Sequence, residues 1–188
     1  MPAGTILGGP LVPIENCYII VPYDGEANIP FVQNGEFKII LNNLPEITDS
    51  KSASYNDEIV IGRSTPLKTY SQSDNRSISM QLHMIVSKAS DVGYNLSVLK
   101  AIQSAVYPRE GKNVPFAPPP ICRIKCGSLL GNGELCVILK NYTVKFPTEV
   151  AWEENTFVPF KFDIDTSWDV VYKSSQLPGQ EKIFTLGR

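Results

Sequence analysis

Four cysteines, one histidine and a few closely spaced carboxylates are the side chains in this sequence that could bind a metal or carry out catalysis. Cys122 and Cys126 stand four residues apart in "ICRIKC", a spacing that puts both on one face of a strand. Structural zinc sites usually pair close cysteines, often with histidine, and the single histidine is His83. We therefore expect reduced cysteines that pack as small apolar side chains, with zinc as the less favoured alternative. The alternation of Cys136 with Ile138 supports the same interpretation.

The other candidates do not form a catalytic set. A nucleophilic triad needs a base near serine or cysteine, but His83 lies between Leu82 and Met84 in a predicted strand, which favours a polar-face or interface role. Asp163 and Asp165 could bind a metal or act as a glycosidase pair, yet they share the polar side of an otherwise apolar strand. No phosphate-binding loop, dinucleotide fingerprint, zinc-protease or nucleophile-elbow motif occurs. We predict that the protein is not an enzyme and has no cofactor, metal or small-molecule substrate.

Length and composition indicate a folded domain. The chain has 188 residues, of which 43% are hydrophobic and 19% charged. A domain of this size and composition can build a hydrophobic core without disulfide bonds or structural metal ions. The net charge is −2 and Lys and Arg are not clustered, which argues against tight DNA binding. The N-terminal sequence lacks a signal-peptide pattern, and no apolar run approaches the roughly 20 residues of a membrane helix. We expect a soluble protein, made in the cytoplasm, without membrane contact.

Two segments alternate between apolar and polar residues, the pattern of strands with one buried face. In the first segment the apolar residues are Ile78, Met80, Leu82, Met84 and Val86. In the second they are Val158, Phe160, Phe162, Ile164, Trp168, Val170 and Tyr172. The opposite face of the second segment carries Lys161, Asp163, Asp165, Ser167 and Asp169. These patterns predict a sheet with one apolar and one polar face.

A β-hairpin and a single helix are also predicted. The turn "GNG" separates "ICRIKCGSLL" from "ELCVILKNYTVKF". In the second arm one parity, interrupted by Lys140, is shared by Cys136, Ile138, Tyr142, Val144 and Phe146. The helix spans about 90–107, capped by Ser90 or Asp91 and ended by Pro108. Its apolar residues at helical spacing are Val92, Leu96, Leu99, Ile102 and Val106.

Polar stretches separate these elements. The residues 45–57, "PEITDSKSASYND", predict a long loop, and "EIVIG" predicts a brief strand. We expect an extended arm over 1–16, one domain over 17–172 and a second arm over 173–188. Because hairpin-length connections dominate, the fold class is predicted as mainly β (α+β): mostly antiparallel strands, one packed helix and long loops.

The ordered set of short motifs from Glu58 to Tyr172 resembles the tail-tube initiator and baseplate-hub structural proteins of contractile-tailed phages. The set runs "GRSTP", "RSISMQL", the helix, "AVYP", "PPP", the hairpin, a Trp, and "PFKFDI". The resemblance implies a tail-tube-like β-sandwich or barrel with one helix. It also implies a virion protein of the tail or baseplate, forming a ring of six copies around a channel through which DNA passes as cargo. The partners would be further copies of the chain, the tail-tube protein and the baseplate hub proteins.

Two groups of residues then become candidate site residues. If Asp163, Asp165 and Asp169 face the channel, their carboxylates repel phosphates and let DNA slide; the alternative is that they merely face solvent. The stretches 43–57 and 62–75 would contact neighbouring subunits or rings, with Arg63, Tyr70 and Arg76 as candidate contact residues, although Arg63 could also be a solvated loop residue. A different functional class, a receptor- or glycan-binding β-sandwich module, is the alternative to the whole interpretation.

Overall fold

The computed structural model describes residues 16–23, 32–33, 35–41, 43–108, 117–131, 133–154 and 157–172. The arms predicted for 1–16 and 173–188 lie outside these residues, apart from Asn16. Among the described residues, the structure has ten strands and one helix. In chain order they are β1 (Cys17–Pro22), β2 (Val32–Gln33), β3 (Glu36–Ile40), β4 (Glu46–Ser50), β5 (Ala53–Glu58), β6 (Leu67–Ser73), β7 (Ser77–Ile85), α1 (Ala89–Ser104), β8 (Cys122–Cys126), β9 (Leu135–Lys145) and β10 (Lys161–Val170).

Eight of these strands form one sheet in the order β2-β3-β1-β8-β9-β10-β7-β4, and β5 and β6 form a separate two-stranded sheet. Each neighbouring pair is antiparallel. The prediction of a mainly antiparallel β protein with one helix is therefore confirmed. A closed barrel is not formed within the described part of the chain, because β2 and β4 stand at opposite edges of the large sheet instead of pairing with each other.

The pairing of β7 with β10 creates the apolar face. Nine residues of each strand face each other in register, so Ile78 lies opposite Trp168 and Leu82 opposite Ile164. Four of the five predicted apolar residues, Ile78, Met80, Leu82 and Met84, are buried in β7, whereas Val86 follows the end of the strand and is half-buried. In the second segment Phe160 differs from the prediction, since it is 41% exposed. It precedes β10, and its backbone N–H donates to the carbonyl of Ala151 in a loop, so the strand alternation does not extend to it.

A β-bulge in β9 overturns the predicted parity of that strand. The register with β10 passes from Ser167 opposite Asn141 to Trp168 opposite Leu139, so Lys140 is the extra residue. Tyr142 and Val144, after the bulge, therefore lie on the same face as Val137 and Leu139 before it. The exposed residues before the bulge are Cys136 and Ile138, which the sequence pattern had wrongly assigned to the core.

Helix α1 packs against the apolar face with a stripe that matches the prediction in part: Ile102 is buried, and Leu99 and Val106 are half-buried against the core. Its buried residues are Asn95, Ser97, Val98, Ala101 and Ile102, followed by Ala105 after the helix end. The small Ala101 and Ala105 let the helix backbone approach the sheet, and larger neighbours such as Leu96 remain half-buried.

Hydrogen bonds fix both the start and the docking of α1. Lys88, not Ser90 or Asp91, is the N-cap residue, but the Asp91 carboxylate accepts from the backbone N–H groups of Ser87 and Lys88 at 3.0 and 2.9 Å. The Tyr94 hydroxyl accepts from the Ile40 N–H at 2.9 Å and donates to the Ile40 carbonyl at 3.0 Å. These bonds hold the helix across the sheet face.

Three of the four cysteines pack in the core as predicted. Cys17, Cys122 and Cys126 are buried and reduced, whereas Cys136 is exposed. Cys17 and Cys126 lie directly opposite each other in β1 and β8, with their Sγ atoms 2.9 Å apart. The hydrogen bond to Cys17, together with burial, raises the pKa of the Cys126 thiol. At neutral pH the Cys126 thiol is therefore protonated.

A buried polar chain ties β7 to β10 inside this core and gives a test of the packing. The Trp168 indole N–H donates to Thr166 Oγ1 at 2.8 Å, and Thr166 donates in turn to the Met80 carbonyl at 3.0 Å. Replacement Thr166→Val keeps the side-chain shape but leaves the buried indole N–H unpaired. We expect the free energy of unfolding to fall by about 1–3 kcal/mol.

The measurement is equilibrium unfolding in urea. The matched control is Thr143→Val on the exposed side of β9, which we expect to change stability by less than about 0.5 kcal/mol. Equal midpoints for the two variants would show that the buried hydrogen bonds do not contribute as described.

Candidate functional site

The polar segment before β7 folds as strands and not as the predicted loop. Residues 46–50 form β4, which pairs with β7, and residues 53–58 form β5, which pairs with β6. The prediction of a long loop over 45–57 was therefore wrong. The predicted strand "EIVIG" was also wrong, because β5 ends at Glu58 and residues 61–62 form a turn. Pairing partners supplied by distant residues, such as Ser77 opposite Ser50, stabilise these polar strands.

Strands β5 and β6 form a hairpin that stands apart from the large sheet. Nearly all of its residues are exposed, and neither strand pairs with another in the described part of the chain. The rings of Tyr55 and Tyr70 make an edge-to-face contact with centroids 5.8 Å apart, and the Tyr70 hydroxyl donates to Ser73 Oγ at 2.8 Å. Asp57 and Lys68 form an ion pair across the two strands. Cross-strand pairs of this kind stabilise a hairpin without a core.

The tip of the hairpin, residues 59–66, exposes large apolar side chains. Ile59 is 90% exposed and Ile61 is fully exposed, with Val60 beside them. Gly62 has φ of +93°, a conformation that favours glycine, and the Arg63 N–H donates to the Val60 carbonyl at 3.2 Å to close the turn. Exposed apolar side chains clustered in this way mark surfaces that bind another protein. The sequence pattern had assigned them to a strand, since apolar runs in strands and at loop tips look alike.

The base of the hairpin is fastened to the large sheet by Arg76. Its guanidinium donates to both carboxylate oxygens of Asp49 in β4, with Nε–Oδ1 at 2.9 Å and Nη2–Oδ2 at 2.5 Å. These hydrogen bonds raise the pKa of Arg76. The Asp74 N–H also donates to the Ser52 carbonyl at 3.0 Å. Of the three candidate contact residues, Arg63 is thus at the exposed tip, Tyr70 is exposed on β6, and Arg76 is engaged within its own chain.

The three candidate aspartates all lie on the polar side of β10, and their partners lie on the adjoining strands β7 and β9. Each half-buried carboxylate pairs with a basic side chain or histidine on a neighbouring strand. Asp163 pairs with His83 Nδ1 at 2.6 Å, Asp165 with Lys145 Nζ at 2.6 Å, and Asp169 with Lys140 Nζ at 3.2 Å. The hydrogen bond to Asp165 raises the pKa of Lys145. Lys140 reaches Asp169 from the bulge position.

An open groove of about 440 Å³ lies on this face between β4, β7, β9 and β10. Most of its lining residues carry hydroxyl or amide groups, namely Thr48, Ser79, Gln81, Asn141, Thr143, Thr166 and Ser167, and the others are Glu46, Met80, Lys145 and Asp165. Such groups can hydrogen-bond water or a polar polymer. They do not include a nucleophile held beside a base.

A second apolar surface lies at the entry to β10. The aromatic patch, as we call Phe146, Trp152, Phe157 and Phe160, is exposed by 38% to 79%. The Phe146 and Trp152 ring centroids are 6.4 Å apart. The loop is folded back by a bridge between Trp152 and Pro159, and Phe157 has φ of +53°. The exposure of these aromatic side chains was not evident from the sequence.

Comparisons add neither an identity nor a cofactor. No protein-family model matches the chain, and no curated protein matches it. The described residues contain no group of three or more His, Cys, Asp or Glu side chains placed to hold a metal ion. No helix among them is long and apolar enough to cross a membrane. The geometry of the polar face and of the hairpin is therefore the basis for a functional proposal.

The pair of Arg76 with Asp49 gives a testable prediction about the hairpin. The Arg76 side chain is only 13% exposed, and the variant Arg76→Leu removes the hydrogen bonds that the Asp49 carboxylate accepts from it. We expect the free energy of unfolding to fall by about 1.5 kcal/mol. We also expect the backbone amides of β5 and β6 to exchange hydrogen faster. Thermal unfolding and hydrogen exchange measure the two effects.

The matched control for this variant is Lys145→Met. The Lys145 side chain is 61% exposed, and exposed ion pairs contribute little to stability. Unchanged hydrogen exchange in the hairpin of Arg76→Leu would contradict the fastening role.

Proposed function

We propose that this chain is a structural virion protein, a ring-forming subunit of a phage tail baseplate that initiates or caps the tail tube. In this proposal several copies, six by the resemblance, place their polar sheet faces around a channel through which DNA passes. The protein has no active site, and its partners are its own copies, the tail-tube protein and the baseplate hub proteins.

The observation that carries this proposal is the difference between the two faces of the large sheet. Helix α1 packs against the apolar face, while the polar face over β4, β7, β9 and β10 is open and forms a groove. A subunit that lines an aqueous channel needs such a wetted face on long strands. The ordered motif set from Glu58 to Tyr172 supports the same function.

The exposed hairpin supports assembly. A hairpin that buries almost none of its own apolar surface gains stability when another protein covers it. We assign to it the contact with a neighbouring subunit or ring, through Ile59, Ile61 and Arg63 at the tip and Tyr70 on β6. Arg76 acts at the base, where its pair with Asp49 holds the hairpin in place.

The ion pairs on the polar face affect how the channel wall would interact with DNA. Because Asp163, Asp165 and Asp169 each have a cationic or histidine neighbour, the wall carries less net negative charge than the carboxylates alone suggest. Lysines held by aspartates are less available to phosphates. We infer that the wall avoids DNA adhesion mainly by keeping its cations paired.

Electron microscopy of the purified protein, alone and mixed with tail-tube and hub proteins of the same phage, tests the assembly. We expect rings or short tubes with an open lumen, with the β4, β7, β9 and β10 face inward. Monomers under both conditions would contradict the proposal, as would rings with the polar face outward.

A charge-removal experiment tests the paired wall. The triple variant Asp163→Asn, Asp165→Asn, Asp169→Asn leaves Lys140 and Lys145 without their aspartate partners. We expect it to bind double-stranded DNA at low salt at least about tenfold more tightly than the control, with affinity falling steeply as salt rises. Fluorescence anisotropy of labelled DNA measures the affinity.

The control removes the same number of charges from the hairpin region, through Asp57→Asn, Glu58→Gln and Asp74→Asn. Equal DNA affinity of the two triple variants would show that only total charge matters, and would remove the role given to the polar face.

The second candidate function is a receptor- or glycan-binding module. The groove favours it, since hydroxyl and amide groups can bind sugar hydroxyls. However, the aromatic side chains that commonly stack on sugars lie in the aromatic patch, outside the groove lining. A glycan array probed with the full chain tests this function, and specific binding lost in Gln81→Ala would favour it.

A further inference from the structure

The two exposed apolar surfaces lie at opposite ends of the large sheet. Strands β7 and β10 are antiparallel, and Ser77 pairs with Asp169 while Ile85 pairs with Lys161. The hairpin follows β4 at Ser50, which pairs with Ser77, so it leaves from the end where β10 finishes. The aromatic patch precedes Lys161 and lies at the end where β10 begins. Ten strand residues separate the ends by roughly 30 Å.

Charge distinguishes the two surfaces as well. The hairpin tip, residues 59–66, contains one ionisable side chain, Arg63, which is exposed. Around the aromatic patch, Glu149 and Glu154 are exposed and Glu153 is half-buried. Two exposed lysines also adjoin the patch: Lys145, which is paired with Asp165, precedes Phe146, and Lys161 follows Phe160. The tip is therefore apolar with one positive charge, and the patch is aromatic with a border in which the three glutamates outnumber the two lysines. Complementary charge around apolar surfaces favours one orientation of contact over others.

We propose that the hairpin tip of one copy docks onto the aromatic patch of the next copy, so that copies join head to tail. Ile59 and Ile61 pack on Phe157 and its aromatic neighbours, and Arg63 pairs with the Glu149 and Glu154 border. A contact between two different surfaces is heterologous and can propagate from ring to ring or around a ring. This inference rests on the proposed assembly function and adds the surfaces through which the copies meet.

Cysteine cross-linking of the full chain tests the contact. The background carries Cys136→Ser, because Cys136 is the exposed native cysteine of the described residues. The test variant adds Ile61→Cys and Phe157→Cys, and oxidised glutathione provides the disulfide exchange. The matched control adds Ile61→Cys and Leu129→Cys, because Leu129 is 70% exposed but lies in the turn after β8. Products are separated by non-reducing electrophoresis.

We expect the test variant to give a ladder of two, three, four and more chains, in at least about fivefold higher yield than the control. Adding Arg63→Glu reduces the ladder, and adding Glu149→Lys and Glu154→Lys as well restores it, because charge complementarity is then reversed. Equal yields in the test and control variants would overturn the proposal. So would a product limited to dimers, or a disulfide formed within a single chain.

Failure of this contact can be distinguished from failure of the proposed assembly function. Rings of the wild-type protein without a ladder would overturn this contact, assign the patch to another partner, and leave the proposed function standing. A ladder without rings in the microscope would support the contact and remove the ring assembly.

Discussion

The register between β7 and β10 is the constraint on which the other features depend. Nine directly opposed pairs match the apolar residues of one strand to those of the other, from Ile78 and Trp168 to Met84 and Phe162. Since side chains alternate with a period of two, a slip of one residue would turn the buried set of one strand to the polar face. The same register sets where α1 can pack, which carboxylates meet which cations, and at which end of the sheet the hairpin and the aromatic patch emerge.

The polar face is organised by pairs that cross from strand to strand. His83, Lys145 and Lys140 each come from a strand next to β10, and each meets a different aspartate. The bulge contributes directly, since the extra residue Lys140 is the partner of Asp169. Individually these half-exposed pairs contribute little to stability. Their consequence is electrostatic: the face offers charges that are already matched, beside the hydroxyl and amide groups that line the open groove.

The hairpin has a base that is fixed to the large sheet and a tip whose apolar side chains are exposed. Asp49 and Arg76 fix its base to the sheet, and Tyr55 against Tyr70 stiffens its middle, yet Ile59 and Ile61 at the tip have almost no cover. A rigid element with an uncovered apolar tip loses less conformational entropy on binding than a mobile loop would. The aromatic patch at the other end of the sheet has the reciprocal composition. The contact between the two follows from composition and position together.

The sequence by itself determined the elements whose apolar residues keep one period: β7, most of β10, the existence of α1, and the burial of Cys122 with Cys126. It could not reveal β4 and β5, because "EITDS" and "ASYNDE" lack apolar alternation and become strands only through partners distant in the chain. The bulge at Lys140 was likewise invisible, so Cys136 and Ile138 were assigned to the wrong face. The alternating pattern of the sequence predicted that Asp163, Asp165 and Asp169 share the polar face of one strand, but it did not predict the basic side chains that lie beside them. Pairing across strands is decided by tertiary register, and side-chain periodicity along one strand carries no information about which residue of another strand will stand opposite.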